Sequence, residues 1–62
     1  MKLLRERFLK TYANTPLNLR DGIILILEKK GSISWNVAYL EIKENSEYAQ
    51  AILKELDELK LI

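Results

Sequence analysis

Histidine and cysteine are both missing from this 62-residue sequence. They are the side chains that most often ligate metals or exchange protons near neutral pH. Chemistry is left to carboxylates, amines and amides. Glu41, Glu44 and Glu47 are spaced i, i+3, i+6, but turn-forming residues lie between them. Nothing there has the spacing of a calcium loop. Two glycines are too few for a phosphate cradle. Acid–base work by a carboxylate pair needs a pocket, and four short helices leave little room for one. The expectation is no enzyme, no metal, no cofactor and no small-molecule substrate.

A second set of residues points to surface recognition. Ser46, Glu47, Tyr48, Gln50, Ala51 and Lys54 gather near the start of the last amphipathic stretch. Gln50 has the amide geometry to pair with adenine, Lys54 reaches guanine or a phosphate, and Glu47 accepts from cytosine. Ser46 bonds a phosphate if it sits at a helix N-terminus. Arg5, Arg7 and Lys10, with Lys2 and Arg20, supply cations for a nucleic-acid backbone. Opposing them, Ser46 to Lys60 holds four acidic groups and two basic ones. That density of acid repels phosphate and more often means a solvated face.

Charge is divided along the chain. Residues 1–30 carry seven basic and three acidic groups, and residues 31–62 carry three basic and six acidic. The net charge of +1 hides this asymmetry, which marks the N-terminal half as a possible interaction surface.

Four helices are expected to position these groups. The first spans 2–13, with Leu4, Phe8 and Tyr12 at i, i+4, i+8 and Leu9 beside them. Pro16 ends it by about Asn14, because the residue before a proline avoids the helical region. Asn18 is an N-cap type and Gly31 a C-cap type, so 19–30 reads as a second helix. It is apolar nearly all round and is expected to be the most buried. The alternative for Ile23–Leu27 is a buried β-strand, since five aliphatic residues fit either period. Ser34 caps a third helix over 34–42, with Trp35, Ala38, Tyr39 and Ile42 facing inward. After a turn at Lys43-Glu44-Asn45 comes a fourth over 46–60, with Ala49, Ile52, Leu53, Leu56 and Leu59 on its apolar face.

Two helices joined by a three- to four-residue turn have helix-turn-helix spacing. The stretch resembles the core of winged helix-turn-helix domains of small transcription regulators. The resemblance rests on Gly31, Ile33-Ser34, Ala38 and Ile42 before the turn, and on Ala49, Ile52-Leu53, Leu56 and Leu59-Lys60-Leu61-Ile62 after it. Lys60 stands where many members have glycine, Lys43 where the turn often has one, and no β-hairpin wing follows. The resemblance covers roughly 18–62. It implies an all-α domain, wing absent, with at most a minimal strand pair between Ile33 and Leu61-Ile62. It also implies a last helix that enters the DNA major groove.

Sixty-two residues make one domain, 1–62, with an N-terminal helix (1–14) and the winged-helix-like core (18–62). A chain this short is marginal alone. A homodimer is therefore expected, through Leu3, Leu9, Ile24 and Leu25, which lie off the main stripes. No run reaches transmembrane length, no membrane is expected, and the default location is cytoplasmic. The leading expectation is a DNA-binding regulator or chromatin-associated factor. The alternative is a protein–protein interaction module that binds no DNA.

Overall fold

A computed structural model describes residues 2–62. Helix α1 spans Lys2–Ala13. A short 3-10 turn follows at Leu17–Leu19. Strand β1 covers Ile23–Leu27 and β2 covers Gly31–Ser34. Helix α2 spans Trp35–Lys43 and α3 spans Ala49–Glu58.

The all-α expectation is overturned. Among the described residues the domain is mixed α/β, with three helices plus a two-strand antiparallel sheet, 55% helical and 15% strand. The expected helix over 19–30 is instead a 3-10 turn and most of a β-hairpin. Three of the five residues in β1 are isoleucine, whose branched Cβ favours strands over helices. Gly22 would have stood inside that helix, at a cost of about 1 kcal/mol. The Gly31 signal was ambiguous. It adopts φ +91, but to turn the hairpin rather than to cap a helix.

Register pairs Leu25 with Ile33, Ile26 with Ser32 and Leu27 with Gly31. A bulge between Ile23 and Leu25 shifts Ile23 opposite Ser34. Ile33 therefore pairs with Leu25. The expected pairing of Ile33 with Leu61-Ile62 does not form. The second segment is also not the most buried. Only Leu25 of β1 lies in the core, and Ile23 and Ile26 are 58% and 75% exposed.

The core is Phe8, Leu25, Ile33, Ala38, Ile42, Ala49, Ile52, Leu53 and Leu56. Phe8 is the contribution of α1, and Leu4, Leu9 and Tyr12 pack beside it. Phe8 lies 5.9 Å from the Trp35 ring, and Tyr12 stacks on Tyr39 at 4.5 Å. The Tyr12 hydroxyl donates to Asn36 Oδ1 at 2.7 Å, and Asn36 Nδ2 donates to Asp21 at 2.6 Å. That relay joins α1, the approach to β1 and the first turn of α2.

Ser34 caps α2 as its residue type implies, accepting from the Val37 amide at 3.1 Å. Both later helices end in the same motif. Asn45 (φ 53) follows α2, with its amide bonded to Ile42 and that of Ser46 bonded to Glu41. Lys60 (φ 59) follows α3, with its amide bonded to Asp57 and that of Leu61 bonded to Leu56. These are Schellman closures, and their left-handed residue is usually glycine. Helix α3 is shorter than the expected 46–60, and Leu59, placed on its apolar face, is 53% exposed.

Candidate nucleic-acid interface

Helix α3 buries one face completely. Ala49, Ile52, Leu53 and Leu56 enter the core. The opposite face presents Gln50, Ala51 and Lys54, all exposed, with Glu47 just before the helix. Tyr48 is half-buried at the helix entrance. These five residues share the end of α3 that a groove-reading helix inserts.

The entrance to α3 is held by three parts of the chain. Lys30, from the hairpin turn, places its Nζ 3.1 Å from Glu41 Oε2 on α2. The same ammonium lies 5.0 Å from the Tyr48 ring centre. The Ser46 hydroxyl donates to the other Glu41 oxygen and accepts from the Tyr48 amide at 3.2 Å. The Ser46 bond first, and Lys30 second, hold the Glu41 carboxyl below its ordinary range. Burial opposes them more weakly. The Ser46 hydroxyl is thus engaged within the protein, where the sequence suggested a phosphate contact.

An open groove of about 520 Å³ runs beside this entrance. Leu27, Tyr48 and Ala51 line it, with Glu28, Glu47 and Glu55 against one lysine, Lys29. The hairpin turn and α3 thus share an acidic cleft on the flank of the candidate reading face. This cleft was not legible in the sequence, because a helix over 19–30 has no turn there.

The basic residues divide into free and engaged. Arg5 and Lys10 are exposed on α1. Arg7 is tied to the far end of α3, donating to the Ile62 carbonyl at 2.6 Å and lying 3.4 Å from Asp57 Oδ1. Arg20 is folded onto the end of α1. Its Nε donates to the Thr15 carbonyl at 3.0 Å and its Nη2 to the Tyr12 carbonyl at 3.1 Å. Its guanidinium lies 4.3 Å over the Tyr12 ring. A cation at those carbonyls complements the helix dipole, a structural role that its position in the sequence did not reveal. The Lys2 side chain lies outside the described residues.

The dimer candidates separate as well. Leu3 is exposed, Leu9 and Ile24 are half-buried, and Leu25 is withdrawn into the core at 8%. Leu25 is therefore not surface, because the strand turns it inward, and Ile23 and Ile26 are exposed in its place. Among the described residues no helix is long and apolar enough to cross a membrane.

Comparison with protein-family models, with curated proteins and with solved structures gives no match. The structure places a hairpin before the helix pair, where the winged-helix resemblance implied a helix over 19–30 and no wing.

Proposed function

We propose that this chain is a small cytoplasmic DNA-binding protein that offers α3 to the major groove. The observation that carries the proposal is the stripe of Gln50, Ala51 and Lys54, exposed on a helix whose other face is locked into the core. Gln50 pairs with adenine and Lys54 with guanine or a phosphate. Ala51 gives apolar contact to a thymine methyl. Arg5 and Lys10 add backbone contacts. The carboxylates of Glu47, Glu55 and Glu28 limit affinity, so binding is weak with a shallow salt slope. Two copies acting together would supply avidity that one lacks, as befits a regulator or chromatin-associated factor.

The test is a fluorescence anisotropy titration with the wild type and point variants. Gln50→Ala and Lys54→Ala are expected to weaken binding to a preferred duplex more than to a random one. Arg5→Ala is expected to weaken both equally. Glu47→Lys is expected to raise non-specific affinity by removing a repulsion.

A second reading, a protein-interaction module, is favoured by the groove beside α3. Its apolar lining of Leu27, Tyr48 and Ala51 between carboxylates suits a cationic peptide segment better than a phosphate backbone. No binding to any duplex at about 50 mM salt, where phosphate attraction is strong, rejects the DNA reading in favour of this one.

A further inference from the structure

We infer that β1 is the self-association edge of this protein, pairing antiparallel with β1 of a second copy to make a continuous four-stranded sheet. The sheet has only two strands, so β1 is hydrogen-bonded on one side. Among the described residues no other backbone pairs with its outer edge. An unpaired edge is a template for another strand unless charge, proline or a strong bulge blunts it. Ile23–Leu27 contains neither charge nor proline. Its bulge disturbs only the first residues, and Leu25–Leu27 keep regular register against Gly31–Ile33.

The side chains agree with the backbone. Ile26 is 75% exposed in the middle of the regular segment, and Ile23 is 58% exposed at its start. A two-fold axis through Ile26 sets it beside Ile26 of the second copy. Leu25 then lies opposite Leu27 of that copy, and both belong to the inward face. Opposed pairs share a face in an antiparallel ladder, so this register mixes no inward residue with an outward one. Charge favours the same direction. Arg20 and Asp21 precede the strand and Glu28, Lys29 and Lys30 follow it, so with Arg20 folded onto α1 the start is acidic, while the turn end carries two lysines against one carboxylate. Antiparallel pairing lays the Asp21 end of each strand beside the lysines of the other, whereas parallel pairing sets like ends together. A second copy is therefore a complementary occupant, both in apolar surface and in charge. The inference does not rest on the DNA reading, and its test contains no DNA.

Sedimentation equilibrium at micromolar concentration is expected to give a species of twice the 7.3 kDa chain mass for the wild type. Ile26→Lys is expected to give the single-chain mass with an unchanged circular dichroism spectrum, because the side chain it replaces is exposed. Since the chain has no cysteine, a single introduced thiol reports position. Ile26→Cys is expected to form a disulfide-linked dimer in mild oxidant, and Leu17→Cys, exposed but outside the strand, is not. Amide protection within the regular segment Leu25–Leu27 is expected to rise with wild-type concentration, a measurement that stands even if a variant unfolds. A wild type that sediments as one chain at high micromolar concentration overturns the inference and leaves the edge to an extended segment of an unlike protein. A dimer that survives Ile26→Lys, or cross-links equally at Leu17→Cys, also overturns it.

Discussion

The hairpin and the helix pair dispose of their apolar residues in opposite ways. In α3 every large aliphatic residue lies on one face, and that face is buried. In β1 all five residues are aliphatic, so one face must stay apolar in water. The difference is one of pattern, not composition. A period of 3.6 with polar residues between the apolar ones fixes a helix and also its rotation. An unbroken aliphatic run fixes neither, and here the partner strand and Gly31 decide the outcome. The helix pair is thus specified by its own sequence, while the hairpin leaves apolar surface that a monomer does not cover.

Matched truncations test that contrast most directly. Leu53 is 3% exposed at the centre of the α3 face, and Leu53→Ala is expected to cost on the order of 2–5 kcal/mol. In so small a domain that is comparable to the whole stability, so loss of the cooperative urea transition also meets the expectation. Ile26→Ala removes a similar side chain from an exposed site. At a concentration low enough to keep the chain single, its urea midpoint is expected to lie within about 0.5 kcal/mol of wild type. Equal losses at the two sites would erase the distinction between the regions.

The link between α1 and the hairpin approach is the next weak point. Arg20→Ala removes two side-chain bonds to α1 carbonyls and the stacking on Tyr12. The expected loss is about 1–3 kcal/mol, as for hydrogen bonds from a charged group. Thermal melts of wild type and variant measure it. An unchanged midpoint would return Arg20 to the surface, as a cation available to phosphate.

How far the sequence revealed the molecule follows the same division. The limits of α1, the Ser34 cap and four of the five residues assigned to the α3 face were legible, because each depends on neighbours within a turn or two. The hairpin was present only as the alternative for Ile23–Leu27, since a five-residue run satisfies both periods. At the candidate interface, the exposure of Gln50, Ala51 and Lys54 follows from the same helix period. The engagement of Ser46, Arg7 and Arg20 does not. Arg7 meets Ile62 across 55 positions, and Ser46 meets Lys30 only through Glu41. Such partners are set by the tertiary fold.

The two Schellman closures give a smaller effect of opposite sign. Lys60 holds φ 59 without the freedom of glycine. A left-handed residue with a Cβ carries a strain of roughly 1–2 kcal/mol. Lys60→Gly is therefore expected to raise the urea midpoint by an equivalent of up to about 1 kcal/mol, since the unfolded chain also gains freedom. Asn45→Gly is expected to give less, because asparagine tolerates this region better than lysine. A larger gain at Asn45 would contradict the shared geometry of the two helix ends.

The smallest effect concerns the contact that holds hairpin and helix pair together, and it depends on pH. Glu41 accepts from the Ser46 hydroxyl and pairs with Lys30, and both favour its charged form. Its carboxyl is therefore lower in the folded state than in the unfolded one. A group lowered in this way adds stability above its unfolded pKa and loses it as pH falls through the folded value. Replacing Glu41 by glutamine removes the titration while keeping an acceptor for Ser46. The stability of wild type should thus exceed that of Glu41→Gln near neutrality, and the gap should close below the ordinary carboxylate range. Urea midpoints of both proteins at neutral and acid pH measure the gap, and taking the difference cancels the carboxylates they share. The pair is partly exposed, so its neutral-pH advantage is modest and shrinks with added salt. A gap that is the same at both pH values would mean that Glu41 acts through its shape alone, and that charge does not fasten the hairpin turn to the entrance of α3.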